Sequence, residues 1–173
     1  MEIQCADCGC VVDQGVRTAP CATPHDCCCQ DLPTAEQGSG AKRLPIVWQR
    51  LVSTDGRTCD RCGATYEELE RAVATLRTAL GPLGIEPILV TREIDDPTFR
   101  ADPSLSNRIW IGNKPIEEWL NASVGSSRCC SVCGDAECRT VELEGSTFET
   151  IPEELLIRAA LIAAADLLGS VRG

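Results

Sequence analysis

The chain has 173 residues, 13 of them cysteine, one histidine and a formal net charge of −10 at pH 7. That length allows one domain with a real core plus an appendage, and the acidity excludes a phosphate-binding face for nucleic acid. The longest apolar stretch, Ala159 to Ala165, is too short for a membrane span and runs into Asp166, so no span is expected.

Cysteine is far above ordinary usage and must be accounted for first. A disulfide framework belongs to oxidising compartments, a set of thiolates to reducing ones. Met1-Glu-Ile-Gln-Cys5 lacks the basic start and apolar run of a secretory signal, so the sequence reads as cytoplasmic. An odd number of cysteines cannot all pair within the chain, which agrees with metal or redox work.

Residues 1–33 hold seven cysteines, the histidine and few large apolar groups, too little to fold without a staple. Cys5-Ala-Asp-Cys8-Gly-Cys10 contains a CxxCG knuckle, and Cys21, His25, Cys27, Cys28 and Cys29 can close it. Seven thiols and one imidazole exceed one tetrahedral site, so two metals share bridging thiolates or some cysteines scavenge. The segment resembles bacterial metallothionein-like sequences. Residues 34–42, small and polar, read as a linker, and 43–173 as the globular domain.

Ile46 to Val52 is a β-type run ended by Thr54-Asp55-Gly56. Cys59-Asp-Arg-Cys62 follows, then Tyr66, Leu69, Ala72, Val73, Leu76 and Leu80 at the spacing of one helical face, stopped by Gly81-Pro82. Ile85 to Ile94 and Arg108 to Ile111 are further strands, the latter closed by Gly112-Asn113, and Pro115 to Leu120 begins a short helix. Residues 123–138 read as a second cysteine-rich loop. A strand over Thr140–Leu143 and a final helix over Leu155–Leu168, opened by a capping box Thr150-Ile-Pro-Glu153, complete the chain. The acidic pairs Glu67-Glu68, Glu117-Glu118 and Glu153-Glu154 read as solvated charges at helix starts, and Trp48, Trp110 and Trp119 as core.

A CxxC between a strand and an amphipathic helix puts its first thiol at the helix N-terminus, where free N–H groups favour thiolate, so Cys59 is the expected reactive thiol and Cys62 its resolving partner. These residues, with Ser106 to Leu120 as third strand and short helix, resemble the thioredoxin-like superfamily; residues 44–168 resemble a family of bacterial thioredoxin-like proteins known only as a domain of unknown function. The resemblance implies an α/β fold, a thioredoxin-like sandwich with a central mixed sheet and flanking helices, carrying the cysteine-rich appendage. Asn107 stands where that superfamily has a cis-proline.

Cys129, Cys130, Cys133 and Cys138 lie within ten residues and suit a tetrahedral soft-metal site, two disulfides, or pairing with the CxxC across the fold. The functional expectation is soft-metal binding, buffering or transfer, with zinc, copper(I), mercury or arsenite as cargo and a metal-transfer or redox protein as partner. A thiol-disulfide oxidoreductase with Cys59 and Cys62 as catalytic pair is the alternative, and an iron–sulfur electron carrier the third reading.

Overall fold

The computed structural model describes residues 3–4, 11–13, 16–17, 41–129 and 133–169. The chain divides into two compact units, Met1–Gly40 and Ala41–Gly173. In the first, β1 (Ile3–Gln4), β2 (Val11–Asp13) and β3 (Val16–Arg17) form a small antiparallel sheet in that order. All seven cysteines before residue 34, and His25, lie outside the described residues, as does Cys130.

The second unit is a mixed α/β structure with two sheets. Its larger sheet has the order β5-β4-β6-β7. Strand β4 (Lys42–Leu51) is central because Leu44, Ile46, Val47, Trp48 and Leu51 are all buried, a near-continuous apolar run rather than the alternation of a one-faced strand. Lys42, read as linker, is already paired with Ile85. Helix α1 (Asp60–Leu80) makes the crossover to β5 (Ile85–Ile94), which pairs parallel to β4 along its length. Strand β6 (Arg108–Ile111) runs antiparallel on the other side of β4, and a hairpin through Gly112 (φ 63°) leads to β7 (Lys114–Pro115).

Helix α1 buries Cys62, Thr65, Leu69, Ala72, Val73, Leu76 and Leu80, the stripe that its sequence spacing predicts. It packs against α4 (Glu153–Gly169), whose buried Ala159, Ala160, Ala163 and Ala164 let the two backbones approach closely. The capping box expected at Thr150 gives way to a cap from another element: Glu68 of α1 accepts from the Glu153 N–H at 2.9 Å. Helix α2 (Asp96–Ala101) brings Phe99 against Leu51 and Cys138 in a second small core, and α3 (Ile116–Leu120) follows β7.

The smaller sheet, β8 (Ser123–Arg128), β9 (Glu137–Leu143) and β10 (Ser146–Phe148), is antiparallel with β9 in the middle. Glu144 and Gly145, both at positive φ (53° and 81°), make the tight β9–β10 turn. Its first two strands correct the reading of 123–138 as loop. Ser-Val-Gly-Ser-Ser-Arg shows no apolar alternation, so β8 exists through its full pairing with β9 rather than through its own pattern. Only residues 129–136 lie between these two strands, and Cys138 moves onto a strand.

Glu117 also departs from expectation. It is 5% exposed, and its Oε1 accepts from the Arg139 Nη2 at 2.7 Å and Nε at 3.2 Å, a buried ion pair between α3 and β9. Trp48 is fully buried as expected, its Nε1 donating to Asn107 Oδ1 at 3.1 Å, whereas Trp110 and Trp119 are half-buried, each with a cation over its ring. Among the described residues no helix is long and apolar enough to cross a membrane.

Every element of the larger sheet begins after residue 41, and so does every described helix. Deleting residues 1–40 is therefore expected to leave a cooperatively unfolding protein. A thermal melt of the reduced truncation lacking a sigmoidal transition would place part of the core in the appendage.

Candidate metal centre

The chain leaves β4 through Thr54–Gly56 and returns at Thr58, whose Oγ1 donates to the Leu51 carbonyl at 3.0 Å. This turn delivers Cys59 to the N-cap of α1 with extended backbone (φ −76°, ψ 159°), its carbonyl accepting from Gly63 N–H at 2.9 Å. The side chain occupies the position where a capping oxygen ordinarily sits: Cys59 Sγ accepts from the Cys62 backbone N–H at 3.5 Å. Cys62, in the first turn, points inward and lies 3.7 Å from Ser106 Oγ, which also accepts from Leu51 N–H. Both cysteines are buried, at 3% and 2% exposure.

The β8–β9 connection supplies the rest. Cys129 directly follows β8 and donates its N–H to the Ala136 carbonyl, and Ala136 N–H in turn reaches the Cys133 carbonyl. That turn places the Cys129 sulfur 3.7 Å from the Cys59 sulfur. The sulfurs of Cys59, Cys129 and Cys133 all lie within 4.8 Å of one another. Cys138, on β9, is buried with Leu51 and Phe99 in the small core against which Cys129 and Cys133 pack. Of the alternatives open for the second cysteine group, the structure thus brings Cys129 and Cys133 beside Cys59 of the CxxC.

The thiols are strongly differentiated. Cys59 is held down at about 5: the Cys62 thiol donates to it, and the Cys62 N–H, Cys129 and Cys133 add further hydrogen bonds that together outweigh its burial. The shift exceeds what the helix start alone leads one to expect, because three neighbouring thiols and not only backbone N–H groups face this sulfur. Cys62 is pushed far above the ordinary thiol range, since ionising it would break its bond to Cys59, in a buried site beside an existing negative charge. Cys133 is also pushed up, first by burial, then by its bond to Cys129 and by the Cys59 charge. At neutral pH Cys59 is therefore a thiolate, while Cys62 and Cys133 keep their protons.

The pH dependence follows in sign. A thiol whose pKa is depressed on folding is ionised above that value, so alkylation of Cys59 by iodoacetamide in metal-free reduced protein should rise through a midpoint of about 5. Peptide mass spectrometry, with the other thiols left native, reads it. Cys62→Ala should move the midpoint upward by removing the largest stabilising bond, and an unmoved midpoint would mean that the Cys62 thiol does not hold the charge.

Arg61 lies between the two CxxC cysteines. Its side chain is 9% exposed, and Nη2 donates to the Arg128 carbonyl at 2.8 Å while pairing with Glu149 Oε2 at 3.0 Å. No motif marks Glu149 or Arg128 in the sequence. An open cavity of about 390 Å³ adjoins the cluster, lined by Cys133, Gly134, Asp135, Ala136 and, from α2, Asp96, Phe99 and Arg100.

A family model described as a domain of unknown function (DUF2703) matches residues 44–160. An uncharacterized protein of the archaeon Archaeoglobus fulgidus is 42% identical over 114 residues, covering 66% of this chain and 82% of its own. No solved structure matches.

Proposed function

This chain belongs to the DUF2703 family, and we propose from that footing that it binds a thiophilic metal ion, with Cys59, Cys129 and Cys133 as thiolate ligands. The observation that carries the reading is the convergence of three sulfurs from two distant segments within 4.8 Å. A four-coordinate metal with bonds of about 2.3 Å to sulfur separates its ligands by roughly 3.8 Å; the Cys59–Cys129 separation is 3.7 Å. Thiolate ligands select zinc, copper(I) and the toxic thiophiles over oxygen-loving cations.

Cys59 is the ligand already ionised, so an approaching cation meets a negative sulfur without first displacing a proton. Cys133 must lose its proton on binding, and uptake therefore strengthens with rising pH. The cavity beside Cys133 is the route of entry, with Asp96 and Asp135 at its wall. Cys62, bonded to Ser106, serves as donor to Cys59 rather than as ligand. The appendage, with its own thiols, is the store from which or to which the ion passes in a reducing compartment.

A second reading has a specific observation in its favour. The order β5-β4-β6-β7 with a CxxC after the central strand supports a thioredoxin-like architecture, and a Cys59 thiolate beside the Cys62 thiol suits attack on a disulfide followed by resolution. Asn107 gives it less support than a cis-proline there would. Native mass spectrometry of anaerobically purified protein separates the two. Bound metal with reduced thiols is expected; a metal-free Cys59–Cys62 disulfide would establish the oxidoreductase, and iron with labile sulfide a cluster carrier.

A further inference from the structure

The two halves of the sulfur cluster come from segments about seventy residues apart in sequence, and each is tethered to its own element: Cys59 to the cap of α1, Cys129 to the end of β8. Something must fix the distance between them. One side chain spans the gap. Arg61 leaves the first turn of α1, two residues after Cys59, and its Nη2 donates at 2.8 Å to the carbonyl of Arg128, the residue immediately before Cys129. The same nitrogen pairs with Glu149 at 3.0 Å, and the other oxygen of Glu149 accepts from Ser127 Oγ at 2.7 Å. Strand β8 is therefore held twice over by one guanidinium, directly at 128 and through the carboxylate at 127.

We propose that Arg61 is the positioning residue of the centre, clamping the end of β8 so that Cys129 sits within ligand distance of Cys59. The inference rests on the metal-binding reading above. Arg61 touches none of the three sulfurs in any described hydrogen bond, and its charge is answered by Glu149, so its contribution is geometric. Ligand sulfurs must lie within a few tenths of an ångström of their places, and outer partners that orient ligands ordinarily carry about 10–100-fold of metal affinity.

The test uses the full-length chain with the seven cysteines before residue 34 changed to serine, so that cadmium reports the central cluster alone. Arg61→Ala is expected to lower cadmium affinity by about 10–100-fold. Since both contacts are made by a single nitrogen, Arg61→Lys should recover most of the loss. Glu149→Ala, at an exposed carboxylate that leaves the Arg128 contact in place, should show a smaller loss in the same direction and covers the case in which Arg61→Ala does not fold.

A second readout is one that simple destabilisation does not move. Oxidation of the metal-free protein by diamide, which takes up the two electrons and two protons released as each disulfide forms, partitions Cys59 between Cys62 and Cys129. Loosening β8 should shift that partition towards Cys59–Cys62 in Arg61→Ala, and Arg61→Lys should return it within about twofold. If the parent binds cadmium through Cys59 while affinity and disulfide partition stay unchanged in Arg61→Ala and Glu149→Ala, Arg61 is not the clamp. If the parent itself does not bind cadmium, or binds it equally with Cys59→Ser, the metal reading has failed instead.

Discussion

Cys59→Ser is expected to lower cadmium affinity of the central cluster by more than about 100-fold, beyond the 10–100-fold that loss of an orienting partner costs. The substitution removes a sulfur that is charged at neutral pH and that both other ligands face. Serine retains a hydrogen-bonding group at the N-cap, so α1 keeps its start and the fold is undisturbed. What disappears is the soft anionic donor, and an alkoxide in its place would demand a proton from a group that does not ionise near neutrality. Competition against a chromophoric chelator, in the chain lacking appendage cysteines, gives the number directly. Cys62→Ser should cost much less, since that sulfur lies outside the converging three. Equal losses at 59 and 62 would relocate the metal into the CxxC, and no loss at 59 would withdraw the centre altogether.

The contrast between Cys59 and Cys62 was partly legible in the sequence, and the reason is local. A strand ending in a turn, a CxxC and a helical stripe of Leu69, Ala72, Val73, Leu76 and Leu80 are all written within forty residues, and local periodicity is what a sequence displays best. The same holds for β5 and β6, whose apolar runs Ile88-Leu89-Val90 and Ile109-Trp110-Ile111 are local, the second closed by Gly112. What the sequence did not display is contact across distance. Cys129 and Cys133 sit next to Cys130 and Cys138 in the chain, which left a self-contained foursome, two disulfides and pairing with the CxxC all open. The fold turns Cys129 and Cys133 towards Cys59 and gives Cys138 to a strand among Leu51 and Phe99. The signal for this was β8, and Ser123-Val-Gly-Ser-Ser-Arg128 carries so little apolar pattern that its strand character comes from β9.

Gly125 shows how that pairing constrains composition. A β-carbon at 125 would lie 2.8 Å from Thr140 Oγ1 on β9, closer than real side chains approach, and would also strike the Glu142 carboxylate. Glycine lowers strand propensity, yet here the space above the partner strand demands it. A position chosen for cross-strand fit reads locally as loop. Arg61 is a parallel case: within Cys-Asp-Arg-Cys it looks like an exposed charge tuning a thiol, and only the return of β8 past the start of α1 turns it into a buried tether.

The other large effect concerns Glu117 and Arg139, a pair of which the sequence presented only the acid, as an ordinary helix-start charge. Both side chains are nearly sealed from water, at 6% and 7% exposure, and the carboxylate Oε2 is buried without a partner. Two desolvated charges stabilise the fold little against an apolar pair of similar volume, because their attraction is offset by the loss of hydration. Removing only one of them is different, since the survivor is left buried and uncompensated. Glu117→Ala is therefore expected to destabilise the protein by about 3–5 kcal/mol, and for a unit of this size the melting temperature should fall by roughly 10 °C or more. Arg139→Ala should cost a similar amount, yet the double substitution Glu117→Leu with Arg139→Met should recover most of the stability lost in either single variant. Thermal melts of the four proteins, reduced and with chelator present so that metal binding adds nothing, form the cycle. Additive losses, with the double variant falling as far as the sum of the singles, would show that the two groups act independently and that the pair is not the element pinning α3 to β9.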